Sequence, residues 1–269
     1  MPPITLATLD ARKAKGRRFA MITAYDAGFA ALMGPAGVAT VLVGDSLGMV
    51  VQGRTATVAV TLDDMAYHTE CVARGIAAGE GPAPLIVADL PLGTYFSSDE
   101  AARSAARLVA AGANVVKLEG GAWLADTVAF LSARGLPVCA HLGLTPQTVD
   151  MLGGYKVQGK SEEGARRLRE EATLLEQAGA RLLLLECVPN AVGQAVTQAA
   201  KVPVIGIGAG PATDGQVLVL HDMLGVSRGR TARFVKDYMA GAGSVEDAFR
   251  AFAEEVESGA YPAAEHCYG

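Results

Sequence analysis

Seven short, uninterrupted apolar runs punctuate the chain, and longer amphipathic stretches separate them. The runs are Phe19–Thr23, Ala39–Val43, Leu85–Ala88, Val115–Leu118, Val138–His141, Leu182–Leu185 and Val204–Ile207. A strand with one wet face alternates apolar and polar residues. A strand that is apolar throughout must be covered on both faces, as in a parallel sheet wrapped by helices. The intervening stretches read as those helices: Leu6–Lys15, Asp63–Ala78 behind the cap Thr61, Ser98–Ala111 stopping at Gly112, Ala122–Arg134 stopping at Gly135, a charged stretch from Ser161 to Gly179, and Ser244–Ser258. Ala-Gly-Ala recurs at 111–113 and 178–180, each time just ahead of an apolar run, as a helix stop feeding the next strand. With an eighth, weaker strand placed at Phe234–Asp237, the pattern predicts an α/β chain: a single (β/α)8 TIM-type barrel over residues 1–269 with a short extra N-terminal helix. A barrel of this kind takes about 250 residues. A doubly wound open sheet is the alternative.

Composition narrows the class. At 51% hydrophobic residues and a net charge of −5 (23 basic against 28 acidic), the chain is too apolar and too weakly charged to stay disordered. The balance leaves no basic footprint for nucleic acid. No apolar run reaches the roughly 18 residues of a membrane span, and Met1-Pro2-Pro3-Ile4 does not open like a signal peptide. The expectation is a cytoplasmic protein with neither nucleic acid nor membrane as partner. Cys71, Cys139, Cys187 and Cys267 are scattered and form no C-x-x-C pair, so they read as reduced thiols, with Cys139 and Cys187 buried in apolar runs.

Ionisable and glycine residues gather at one end of the runs. Run two is followed by Gly44-Asp45-Ser46 and run three by Asp89. Run four carries Lys117 and leads to Glu119, run five ends at His141, run six is followed by Glu186, and run seven enters Gly206-Ile207-Gly208-Ala209-Gly210. In a barrel that end is where chemistry is built. Taken singly, each of these positions reads equally as the start of a loop. Together, three of these acids and a lysine at one mouth must pair strongly or hold something, and Mg2+ suits one or two carboxylates plus substrate oxygens. Lys117 and Glu119, two apart in a strand, face the same side and read as an ion pair or as a functional lysine, for which a Schiff base is the competing role. Glu186, leaving Leu182-Leu183-Leu184-Leu185, is expected to be partly desolvated, which suits a general base. His141 is expected to contact substrate or to support a residue that does. The glycine run reads either as an anion cradle or as a loop where something approaches the backbone closely.

These segments resemble the ketopantoate hydroxymethyltransferase family. The matching stretches include Met21-Ile22-Thr23-Ala24-Tyr25-Asp26, Val43-Gly44-Asp45-Ser46-Leu47-Gly48-Met49, Ala88-Asp89-Leu90-Pro91 and Val116-Lys117-Leu118-Glu119-Gly120-Gly121. They continue with His141-Leu142-Gly143-Leu144-Thr145-Pro146-Gln147, Gly153-Gly154-Tyr155-Lys156-Val157-Gln158-Gly159, Leu185-Glu186-Cys187-Val188-Pro189 and Ile205-Gly206-Ile207-Gly208-Ala209-Gly210. The resemblance implies a (β/α)8 barrel in a homo-oligomer, usually a decamer. It implies one Mg2+ per subunit around Asp45 and Asp89, with Glu119 as a direct or water-mediated ligand. It implies substrate contacts from Asp45, Ser46, Asp89 and Lys117, and Glu186 as proton acceptor. The implied reaction moves a one-carbon unit from 5,10-methylenetetrahydrofolate to 3-methyl-2-oxobutanoate, giving 2-dehydropantoate. Leu92 stands where the family usually has Phe, which touches only packing near the mouth.

Overall fold

The computed structural model describes residues 2–227 and 231–269. Eight parallel strands close into a barrel in sequence order: β1 (Phe19–Thr23), β2 (Thr40–Val43), β3 (Leu85–Asp89), β4 (Val115–Glu119), β5 (Val138–Gly143), β6 (Leu182–Glu186), β7 (Val204–Ile207) and β8 (Gly215–Leu218). Ten α-helices accompany them among the described residues: α1 (Leu6–Ala14), α2 (Ala27–Met33), α3 (Leu47–Val50), α4 (Leu62–Ala78), α5 (Ser98–Ala110), α6 (Ala125–Ser132), α7 (Glu162–Gln177), α8 (Asn190–Ala199), α9 (Leu220–Met223) and α10 (Val245–Ser258). The expected barrel and its extra N-terminal helix are present.

The seven apolar runs became strands because none of them has a face that tolerates water. β1 to β4 and β7 are buried at every position. The helices start where side chains replace missing backbone partners. The Thr61 hydroxyl accepts from the Asp64 N–H while the Asp64 carboxylate accepts from the Thr61 N–H, closing a capping box ahead of α4. Ser161 and Ser244 cap α7 and α10 in the simpler way. The stretch expected as one helix over Ala122–Arg134 is divided into a 3₁₀ turn, Ala122–Leu124, and α6.

The eighth strand is not at Phe234–Asp237. β8 is Gly215–Leu218, which pairs with β1 from Phe19↔Gly215 to Ile22↔Leu218 and with β7 through Ile205↔Gly215 and Gly206↔Gln216. Its first two residues hide it from an apolar-run reading. A Cβ at Gly215 would lie 2.8 Å from the Phe19 ring, so that ring occupies the space of a side chain. Gln216 is buried with its amide donating to the Gly210 carbonyl and the Thr213 hydroxyl. Phe234 belongs to a turn, and its ring packs over Gly208.

All four cysteines are free, and Cys139 and Cys187 are buried as expected. No helix among the described residues is long and apolar enough to cross a membrane.

Candidate active site

Three strands run one residue further than their apolar runs, and in each the extra residue is an acid. Asp89 closes β3, Glu119 closes β4, and Glu186 closes β6. Barrel register then sets neighbours side by side: Asp89↔Lys117, Glu119↔His141 and Gly143↔Glu186. Asp45, Asp89, Lys117, Glu119 and His141 are all buried. Their side chains form one connected cluster. Lys117 Nζ lies 3.1 Å from Asp89 Oδ1 and 3.2 Å from Glu119 Oε1. His141 Nδ1 is 3.1 Å from the same Glu119 oxygen, and its Nε2 faces Glu186 Oε2 at 3.5 Å. Asp45 joins through its backbone N–H, which donates to Asp89 Oδ2 at 3.1 Å. The structure therefore brings Asp45, Asp89, Lys117, Glu119, His141 and Glu186 to one mouth. Ser46 lies beside them and shares a hydrogen bond of 2.9 Å with the Tyr25 hydroxyl.

The electrostatics follow from three buried acids facing one lysine. Burial alone would push the Lys117 ammonium down, but Asp89, Glu119 and Asp45 outweigh it and hold it well above the ordinary lysine value. A lysine kept charged is a poor Schiff-base nucleophile and a good counter-charge for an anion. Burial, reinforced by Asp89 and Glu119, pushes the Asp45 carboxyl well above the usual carboxylate range. Asp89 is raised as well, chiefly by burial, with Lys117 opposing. Glu119 goes the other way: burial is overcome by Lys117 and His141, which hold it below its usual value. Burial and Lys117 pull the His141 ring down, yet Glu119 and Glu186 on its two nitrogens outweigh them and raise it. Glu186 keeps 16% of its side chain exposed, the partial desolvation expected of it.

Two backbone features aim Glu186. Cys187, directly after it, is the one non-glycine residue with a left-handed backbone among the described residues, φ 47°. Across the sheet Gly143 has φ +93°, and a Cβ there would run into the Glu186 carbonyl, so only glycine fits. That close approach lets the Leu144 N–H donate to the Glu186 carbonyl at 2.8 Å.

The cation suggested by the acids can be tested against the donors present. Asp89 Oδ1 is buried and has no aligned hydrogen bond, only the lysine beside it. Glu119 is fully engaged: Oε1 faces Lys117 and His141, and Oε2 accepts from the Gln147 N–H at 3.0 Å. Among the described residues no group of three or more His, Cys, Asp or Glu side chains is arranged to hold a metal ion. One or two carboxylates with room for water and substrate oxygens is how Mg2+ is usually held, and Asp45 and Asp89 fit that role.

Sequence reasoning passed over Gln147 and Tyr95. The Gln147 amide donates to Asp45 Oδ2 at 2.8 Å and to the Leu90 carbonyl at 2.9 Å, and its oxygen accepts from the Tyr95 hydroxyl. Both are neutral, so a search for charges could not find them; the Pro146 turn directly after β5 was the available signal. The glycine run is a tight loop. A Cβ at Gly206, Gly208 or Gly210 would meet Thr213, Phe234 or Asn190 within 2.8 Å, so other parts of the chain approach this backbone closely. Leu92 is half-buried in a turn closed by the Thr94 hydroxyl on the Pro91 carbonyl.

A model of the family described as ketopantoate hydroxymethyltransferase matches residues 3–264. The chain belongs to the ketopantoate hydroxymethyltransferase family. It is 57% identical to a 3-methyl-2-oxobutanoate hydroxymethyltransferase of Azoarcus sp. (strain BH72), over 99% of this chain and 97% of that one. It is 51% identical to the protein of that name from Janthinobacterium sp. (strain Marseille), over 98% and 96%. Membership makes the chain an enzyme of one-carbon transfer. Among solved structures it is similar to phosphonopyruvate hydrolase in complex with oxalate and Mg++, with a TM-score of 0.60 and 14% identity over 80% of each chain. It is also similar to 2,3-dimethylmalate lyase of the PEP mutase/isocitrate lyase superfamily, with a TM-score of 0.57 and 19% identity over 79% and 80%. Identities this low speak to the barrel alone.

Proposed function

We propose that this enzyme transfers a hydroxymethyl group from 5,10-methylenetetrahydrofolate to 3-methyl-2-oxobutanoate, forming 2-dehydropantoate for pantothenate synthesis. The observation that carries the mechanism is the continuous contact from Asp89 through Lys117, Glu119 and His141 to Glu186 across four adjacent strands. Asp45 and Asp89 would hold one Mg2+, with Glu119 behind them. When bound, the cation supplies Lewis-acid polarisation of the substrate's 2-oxo group.

The chain's own residues do the rest. Lys117, held charged, offsets the negative charge that develops as C3 loses its proton. Glu186 accepts that proton, and the C–H electron pair becomes the enolate double bond. Its partial exposure leaves the carboxylate free to reach substrate. The enolate carbon forms the new C–C bond to the folate's one-carbon unit. Both C–N bonds to that carbon break: one folate nitrogen leaves with the proton taken from C3, and the other leaves with a proton from water, whose remaining OH becomes the hydroxyl. His141 orients the base, with one ring nitrogen toward Glu119 and the other toward Glu186. Ser46, tied to Tyr25, offers a hydroxyl beside Asp45 for the substrate carboxylate.

The test is deuterium exchange at C3 of 3-methyl-2-oxobutanoate, followed by NMR in deuterated buffer without folate. Glu186→Gln is expected to slow exchange by about 10²–10⁴-fold while the keto acid still binds. Exchange at the wild-type rate would remove Glu186 from this role.

A further inference from the structure

Gln147 lies in the 3₁₀ turn Pro146–Thr148 that follows β5, and it is buried. Every polar atom of its side chain is engaged. Only one orientation of the amide satisfies its neighbours. Turned over, its oxygen would face two acceptors, Asp45 Oδ2 and the Leu90 carbonyl. The Tyr95 hydroxyl, which burial keeps protonated, donates to the amide oxygen and holds the correct orientation from behind. Asp45 therefore has Oδ2 occupied by a neutral N–H, leaving Oδ1. Asp89 Oδ2 likewise accepts from the Asp45 backbone, and its buried Oδ1 faces the Lys117 ammonium at 3.1 Å.

We propose that Gln147 is a positioning residue that makes Asp45 a one-oxygen ligand and thereby sets the site's preference for Mg2+ over Ca2+. The role rests on the reading of Asp45 and Asp89 as the cation's holders. The reason is coordination chemistry. Ca2+ takes about 6–8 oxygens at about 2.3–2.6 Å and readily uses both oxygens of a carboxylate, whereas Mg2+ demands an octahedron at about 2.0–2.1 Å and takes one oxygen from each. A donor fixed on Oδ2 competes with two-oxygen binding and costs one-oxygen binding nothing. An amide does this without adding a positive charge that would repel either cation.

The experiment is calorimetric titration of the metal-free, full-length enzyme with Mg2+ and, separately, with Ca2+. The quantity read is the ratio of the two dissociation constants. Gln147→Met, similar in size but without the donor, is expected to shift that ratio toward Ca2+ by about tenfold, as losing a hydrogen bond to a charged group would. Tyr95→Phe keeps the Nε2 donation and is expected to leave the ratio within about threefold of wild type, since the donor to Asp45 is intact. An unchanged ratio in folded Gln147→Met overturns the role. An equal shift in Tyr95→Phe overturns it too, because loosened packing would then be the cause. If Gln147→Met does not fold, Gln147→Glu, which replaces the donor with an acceptor at the same size, is held to the same ratio. Failure of the wild type to bind either cation overturns the cation reading and the Gln147 role with it. Wild-type Mg2+ binding with an unmoved ratio in the variant overturns the Gln147 role alone.

Discussion

The wall of the mouth formed by β2 to β5 carries Asp45, Asp89, Lys117, Glu119 and His141, all buried. The wall formed by β6 to β8 carries Glu186, partly exposed, and then glycines, Thr213 and Gln216, whose polar atoms are satisfied within the loop. The first wall holds unlike charges against each other in a medium where their interaction is strong. The second keeps the backbone close-packed and offers one acid to the opening. Binding charge and moving a proton make opposite demands. A group that anchors an anion or a cation gains from burial among partners. A group that must reach a substrate atom needs one side left open. On the proposed function, each demand falls to its own half of the ring.

The largest expected effect tests the first wall. Lys117→Met removes the ammonium that Asp89 and Glu119 share and leaves those acids buried without it. Losing one member of a buried ion pair costs about 3–5 kcal/mol. Urea unfolding of the metal-free variant should show that loss, and a change below about 1 kcal/mol would mean that the wall is not held by its charges. A second substitution on the same wall should act in the opposite direction. Burial, Asp89 and Glu119 raise the Asp45 carboxyl in the folded enzyme, so ionising it costs stability. The sign follows from linkage: below the unfolded value of about 3.9 the carboxyl is neutral in both states and costs nothing, and the penalty grows as pH rises above it. Asp45→Asn should therefore raise Tm of the metal-free protein at pH 7 and leave it unchanged near pH 3, while cation binding is lost. A lower Tm at pH 7 would count against the like-charge account.

The smallest effect probes the second wall. Gly208 has φ +61°, and a Cβ there would sit 2.7 Å from the Phe234 ring and 2.9 Å from the Tyr268 ring. Gly208→Ala should cost about 1–2 kcal/mol for the backbone alone, and more for the rings. Gly93→Ala, with φ +86° and open space around its Cβ, isolates the backbone cost. Differential scanning calorimetry should rank the first variant below the second. Equal Tm values would mean that the glycine loop is not held by packing against the C-terminal segment.

Much of this was legible in the chain. β1 to β7 were readable because a strand buried on both faces has only apolar residues to show. Asp45, Asp89, Lys117, Glu119, His141 and Glu186 were readable because charge at the end of an apolar run is conspicuous. β8 was not, because Gly215 and Gln216 earn their places through Phe19 and the Gly210 carbonyl, contacts made by distant parts of the chain. Gln147 and Tyr95 were not, because a neutral side chain shows its role only through what it touches.

The amino-acid sequence by itself determined the repeat of strands and helices, the caps that start the helices and the end of the barrel that would carry acids and a lysine. These follow from local rules of burial, spacing and capping. Tertiary structure alone decided which strand closes the ring, that Lys117 stays charged, that Glu119 is tied to Lys117, His141 and Gln147, that Asp89 faces Lys117, and that Glu186 stays partly exposed beside His141. Those outcomes depend on distances between residues far apart in the chain, and electrostatic energies inside a protein depend on such distances and on the loss of water around them.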